Sequence, residues 1–215
     1  MYSLAIFDLD GTLLDTLGDL HSSVNFALRS FGFPERTLDE VRSFIGNGVV
    51  KLMERSTPAG TDGDTQSQCL DVFRAHYLEH MSDTTAPFEN IPELLMRLRE
   101  KGIKIAVVSN KLHRAVEELC KSYFPGLIDQ AVGVSLEEER KPSPINVIKT
   151  EKHFAAGSKE CIYIGDSEVD VQTAHNSKLK CVGVTWGFRT REELINAGCD
   201  LIADTCDEIK DIILQ

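Results

Sequence analysis

Hydrophobic positions along the chain follow two regimes. Leu4 to Phe7 is a short apolar run that stops at Asp8 and Asp10, which fits a strand buried on both faces. After it, Leu17, Leu20, Val24, Leu28 and Phe31 recur at helical spacing until Gly32 and Pro34 close the segment. Thr37 opens a second helix through Val41, Phe44 and Ile45, and Glu40 completes a capping box. Gly46-Asn47-Gly48 interrupts the pattern before Val49, Val50, Leu52 and Met53 resume it. Pro58 to Gly63 reads as a loop, and Cys69, Leu70, Phe73, Tyr77, Leu78 and Met81 form another helical stripe. Residues 16–85 are therefore expected to be all-helical.

From Pro87 the pattern alternates helix with strand. Pro92 opens a helix through Leu94, Leu95 and Leu98, ended by Gly102. Strands are expected at Ile103 to Val108, Ile128 to Val134, Cys161 to Ile164, Cys181 to Val184 and Leu201-Ile202. Helices are expected around Val116 and Leu119, around Val147 and Ile148, over Val171 to Ser177, over Glu192 to Ala197 and from Asp207. Such alternation predicts an α/β fold, a parallel sheet with helices on both faces. The helical insertion follows the first strand directly and could lie over a strand-end site as a lid.

Composition narrows the class. With 42% hydrophobic residues in 215, the chain can bury a substantial core. A net charge of −11 argues against nucleic acid as the main partner. The cysteines at 69, 120, 161, 181, 199 and 206 form no CxxC pair, so buried reduced thiols are expected. The N-terminal apolar run is too short for a signal peptide, and no stretch approaches the ~18 apolar residues that span a bilayer. The expectation is a soluble cytoplasmic protein with no membrane partner.

Four predicted strand ends carry polar groups: Asp8 and Asp10, Ser109 and Asn110, the loop to Lys141, and Asp166 with Asp170. Each has an ordinary alternative. Asp8 and Asp10 could cap a turn, Ser109 could cap a helix, Lys141 could be solvated, and Asp166 and Asp170 could support the next helix. In a parallel sheet, however, all strand carboxyl ends share one edge, which is where open α/β sheets bind ligands.

Asp8-Leu9-Asp10-Gly11-Thr12, Ser109, Lys141 and Gly165-Asp166-Ser167-Glu168-Val169-Asp170 resemble the four ordered motifs of the haloacid dehalogenase superfamily. The resemblance implies a Rossmann-like catalytic core from residues 1–15 and 86–215, with a helical cap at 16–85. It implies that Asp8 attacks phosphorus to form an aspartyl-phosphate, while Asp10 serves as general acid and then general base. It implies Mg²⁺ held by Asp8, the Asp10 backbone carbonyl and Asp166, with Asp170 steadying the site from behind. Lys141 would neutralise charge, and Gly11, Thr12, Ser109, Asn110 and Lys141 would hold the phosphate. An acid at position 10 fits phosphomonoester hydrolysis, because a halide leaving group needs no proton.

Within the superfamily, Phe31-Gly32-Phe33-Pro34, Val41 to Gly48, Lys111 and Gly187-Phe188-Arg189-Thr190 look most like the phosphoglycolate phosphatases. Gly46, Asn47, Gly48 and Lys51 are then candidates for recognising a small phosphorylated metabolite, although a plain interhelix turn would use the same glycines. Pro87-Phe88-Glu89-Asn90 departs from the family's glycine-ending turn, and Ser109 replaces the commoner Thr. A sugar-phosphate mutase of the β-phosphoglucomutase type, a pyrophosphatase and a non-catalytic phosphate-binding regulator stay open. The pair His76 and His80, four apart, could bind zinc but lacks a third ligand nearby, so an ordinary helix surface is expected.

Overall fold

The computed structural model describes residues 2–215. The chain divides into two compact units, Met1–Leu14 with Pro87–Gln215, and Asp15–Ala86. The first strand is β1 (Leu4–Phe7), followed by a short β2 (Leu14–Asp15). The inserted unit holds α1 (Leu17–Ser30), α2 (Leu38–Phe44), α3 (Gly48–Ser56) and α4 (Gly63–His80). The larger unit resumes with β3 (Ala86–Pro87), α5 (Ile91–Glu100), β4 (Lys104–Leu112), α6 (His113–Tyr123) and β5 (Gln130–Val134). It ends with α7 (Ile145–His153), β6 (Cys161–Gly165), α8 (Glu168–Asn176), β7 (Lys180–Val184), α9 (Arg191–Asn196), β8 (Leu201–Ala203) and α10 (Cys206–Leu214).

Six strands form one parallel sheet in the order β5-β4-β1-β6-β7-β8, and β2 pairs with β3 separately. The fold is thus the expected Rossmann-like α/β architecture. Strand connections run outward from β1 on one side and from β6 on the other. The order therefore reverses between β1 and β6, the crevice where such sheets bind ligands. Phe7 pairs with Val107 and Ile164, so Asp8 emerges level with Val108 and Gly165.

Burial on both faces explains the unbroken apolar runs. Ala5, Phe7, Ile105, Val107, Ile162 and Ile164 pack into one cluster. Their alternates Leu4, Ile6, Ala106, Val108, Cys161 and Tyr163 pack into the cluster on the other face. This two-residue alternation sends Tyr163, fully buried, to the face opposite Phe7.

Three boundaries differ from expectation. β4 does not stop at Val108 but continues through Ser109, Asn110 and Lys111, with a register shift against β5 between Val108 and Leu112. That irregularity re-aims side chains at the strand end. α4 starts at Gly63, where Asp62 caps it, because its polar first turns carry no apolar stripe. α8 starts at Glu168, under a capping box of Ser167 and Asp170. The capping box of Thr37 and Glu40 is present as expected.

In the inserted unit, the buried Asp19 carboxylate joins the first turn of α1 to the segment after α4. Its Oδ1 accepts from Thr84 N–H at 2.9 Å and Thr84 Oγ1 at 2.6 Å. Its Oδ2 accepts from Thr85 N–H at 3.0 Å and Thr85 Oγ1 at 2.8 Å. All six cysteines are free thiols; Cys199 and Cys206 are only partly buried. Among the described residues, no helix is long and apolar enough to cross a membrane.

Candidate active site

Asp8, just past β1, donates its N–H to Ile164 O at 2.8 Å, which extends the sheet ladder by one residue and fixes its backbone. Its Oδ1 lies 2.8 Å from Lys141 Nζ. The same ammonium lies 2.7 Å from Asp170 Oδ1 and donates to Tyr163 OH at 3.2 Å. Lys141 is 4% exposed, so it is no solvated surface charge. Asn110 fixes its backbone: Asn110 Oδ1 accepts from Lys141 N–H at 2.7 Å, and Nδ2 donates to Lys141 O at 3.3 Å. The Asn110 side chain thus holds the backbone of Lys141.

Asp170 has both oxygens engaged. Besides Lys141 on Oδ1, Oδ2 accepts from Ser167 Oγ at 2.6 Å and Ser167 N–H at 3.1 Å. The helix-capping alternative for Asp170 is therefore true, and it serves the cluster as well. Asp166 accepts from Thr12 Oγ1 at 3.2 Å on Oδ1 and from Phe188 N–H at 2.8 Å on Oδ2. The approach is tight. A Cβ on Gly11 would come 2.3 Å from Asp166 Oδ2, and one on Gly187 would come 2.4 Å from Gly11 O. Only glycine fits at either position.

Asp10 lies beyond Asp8, where a tight turn returns Gly11 N–H to Leu14 O at 2.9 Å. Its Oδ1 is 3.0 Å from Lys111 Nζ, a lysine 7% exposed. Ser109 is buried and accepts from Lys111 N–H at 3.3 Å. It caps no helix, since the residue before α6 is Leu112.

Burial dominates the electrostatics. It pushes the Asp8 carboxyl up to about 7; Asp170 adds to the rise and Lys141 opposes it. Burial, Asp170 and Asp8 together hold Asp166 well above the usual carboxylate range. Burial alone would lower Lys141, but Asp170 and Asp8 keep it raised and charged. Oxygens of Asp8, Asp166 and Asp170 lie within 4.8 Å of one another, with the Lys141 ammonium touching two of these acids. Buried negative charge in this excess calls for a further cation. An all-oxygen donor set suits a hard divalent ion. Asp170 is ion-paired to Lys141 through Oδ1 and takes two bonds from Ser167 on Oδ2, whereas each Asp166 oxygen accepts one bond from a neutral donor, so Asp8 and Asp166 have more lone-pair capacity left for it.

The remaining candidates belong to the inserted unit. Gly46 and Gly48 have φ of 124° and 81°, so the α2–α3 junction requires glycine there. Asn47 Oδ1 accepts from Arg55 Nη2 at 2.8 Å, and Lys51 Nζ pairs with Glu54 Oε2 at 2.5 Å. The His76 and His80 rings stack at 4.2 Å; Ser23 bonds the first and Asp83 the second.

Sequence reasoning passed over Tyr163, Trp186 and the Phe188 amide, and gave Lys111 and Thr12 no partner. Tyr163 could have been found as the one polar side chain in an otherwise apolar strand. The backbone amide of Phe188 leaves no sequence signal at all.

The model of the haloacid dehalogenase-like hydrolase family matches residues 5–184. The phosphoglycolate phosphatase of Aquifex aeolicus (strain VF5) is 35% identical over 188 residues, 85% of this chain and 84% of that protein. The phosphoglycolate phosphatase of Mannheimia succiniciproducens is 30% identical over 99% of this chain and 98% of its own length. A crystal structure from Lactobacillus delbrueckii subsp. bulgaricus, described provisionally as a phosphoglycolate phosphatase, superposes with a TM-score of 0.94 at 35% identity. It covers 99% of this chain, which covers 98% of it.

Proposed function

Since the chain belongs to the haloacid dehalogenase-like hydrolase family and is a phosphatase of that family, we propose that it hydrolyses small phosphate monoesters with Mg²⁺, through an aspartyl-phosphate on Asp8. One observation supports this above the others: the Asp8 carboxylate is buried at a strand end against Lys141, with Asp166 and Asp170 beside it. Asp8, Asp166 and the Asp10 backbone carbonyl would hold the Mg²⁺, which supplies charge neutralisation that lets a carboxylate meet a phosphate dianion.

An Asp8 oxygen attacks phosphorus as the P–O(ester) bond breaks, and the departing alkoxide takes the Asp10 proton. Asp10, now ionised, removes a proton from water. That water attacks the phosphorus, the P–O bond to Asp8 breaks, and inorganic phosphate leaves. Lys141 stays protonated throughout and faces the charge that accumulates on the phosphoryl oxygens, with the Ser109 hydroxyl, Gly11 and Thr12 completing the cradle. Asn110 acts by holding Lys141 in place. The larger unit carries the chemistry in this reading, and the helical unit with Gly46, Asn47, Gly48 and Lys51 selects the substrate.

Phosphoglycolate is the substrate we assign, because the curated relatives above carry that activity in their names. The test is phosphate release from phosphoglycolate, p-nitrophenyl phosphate and pyrophosphate, with Mg²⁺ and with a chelator. Wild type should release phosphate only with the metal, fastest from phosphoglycolate, and Asp8→Asn should release none. Preference for pyrophosphate, or conversion of β-glucose-1-phosphate to glucose-6-phosphate, would reassign the reaction. Phosphate binding without turnover would make the chain a regulator.

A further inference from the structure

A fifth strand end belongs to the same edge of the sheet. β7 closes at Val184, and the loop from Thr185 to Thr190 runs back across the turn after β1. Trp186 Nε1 donates to Thr12 O at 3.1 Å. Phe188 N–H donates to Asp166 Oδ2. Arg189, 9% exposed, grips Glu168 in a two-point bridge, Nε to Oε2 at 2.8 Å and Nη2 to Oε1 at 3.3 Å. Glu168 is the first residue of α8, two positions after Asp166. The loop is thus fastened on both sides of the one bond it makes to Asp166. Upstream it holds the Thr12 carbonyl, and downstream it holds the start of α8.

We infer that Trp186 and Arg189 are positioning residues for the divalent cation: they hold the Phe188 amide on Asp166 Oδ2 and so orient that carboxylate. The inference rests on the cation reading above. Its physical basis is the burial of Asp166. A carboxylate with no water around it can rotate unless donors fix both oxygens. Thr12 Oγ1 at 3.2 Å is a long bond, so the 2.8 Å bond from Phe188 sets the rotation. A backbone amide is only as fixed as its loop, and Arg189 is the loop's charged anchor. Arg suits the task because its planar fork matches a carboxylate at two points, whereas Lys offers a single point charge. Gly187 admits no side chain without colliding with Asp166 Cβ at 2.3 Å, so the loop lies directly on the acid it orients.

Mg²⁺ affinity measured by titration calorimetry tests this, on wild type, Arg189→Met, Arg189→Lys, Glu168→Gln and Trp186→Phe. Outer partners of this kind are worth about 10–100-fold in metal affinity. Arg189→Met should fall in that range, with Arg189→Lys and Glu168→Gln between it and wild type. Saturating Mg²⁺ should return kcat to within about twofold and leave the KM for substrate unchanged, a pattern that general destabilisation would not produce. Trp186 is the only tryptophan in the chain. Its fluorescence should therefore report Mg²⁺ binding directly in the Arg189 variants, as a second readout. Wild-type affinity retained in all four variants, or loss of thermal stability without loss of affinity, overturns the positioning role. Absence of Mg²⁺ binding by wild type overturns the cation reading and this inference together. If Arg189→Met does not fold, Glu168→Gln decides the matter, since it keeps the side-chain volume and removes only the charge.

Discussion

The Lys111 ammonium lies 3.0 Å from the Asp10 carboxylate, so each acid of the first loop has its own buried cation, Lys141 serving Asp8. Two separate cations hold the two carboxylates independently, Lys111 at Asp10 and Lys141 at Asp8. Replacing Lys111 by Met should lower kcat/KM by about 10–100-fold, the worth of a hydrogen bond to a charged group. Lys111→Arg should retain more activity. Steady-state kinetics on p-nitrophenyl phosphate reads both.

Asp8 ties stability to pH. Burial first, and Asp170 second, raise its carboxyl from 3.8 to about 7. A raised folded-state value means its contribution is complete below about pH 4 and is lost as pH rises through 7. The chelated protein should therefore lose about 1 kcal/mol between pH 6 and 8, or about 2–4 °C in Tm. Mg²⁺ should abolish the fall, and Asp8→Asn should lack it. Thermal melts in chelator at several pH values check this.

Glu139 shows the opposite sign. Lys149 Nζ at 2.7 Å and the N–H groups of Ser135 and Leu136 hold its carboxyl down to about 2. Its stabilisation is present above about 4.5 and is lost as pH falls through 2. The Lys149 side chain is 60% exposed, so the two backbone bonds carry most of the energy. Glu139→Gln should cost about 1–2 kcal/mol at pH 7. The gap from wild type should close as pH falls from 4.5 towards 2. Activity should fall modestly as well, because this turn leads directly into Lys141.

Asp19→Ala removes an acceptor of four hydrogen bonds inside the helical unit. The expected cost is about 3 kcal/mol, with four donors left unsatisfied. Hydrogen exchange should show the amides of Thr84 and Thr85 losing protection, while those of Asp8 and Phe188 keep theirs.

Asp8, Asp10, Lys141, Asp166 and Asp170 were legible because strand ends announce themselves as an apolar run followed by a polar group. Parallel pairing then brings those ends together without any further information. The partners were less legible. Asn110 is a phosphate-binding residue by the resemblance, but its bonds to the backbone of Lys141, 31 positions later, leave no local pattern. Phe188 acts through its amide, which every residue has. Asp19 meets residues 65 and 66 positions later, beyond the range of any local pattern.

Phe88 N–H donates to Leu13 O at 3.1 Å, so the core closes on itself across the whole insertion. Asp19 closes the inserted segment in the same way from its own side. Each unit is therefore closed by its own stitch. Exchanging residues 15–86 for another helical insert should leave the larger unit folded and Asp8 in place. The molecule's chemistry and its choice of customer can then diverge separately over evolutionary time.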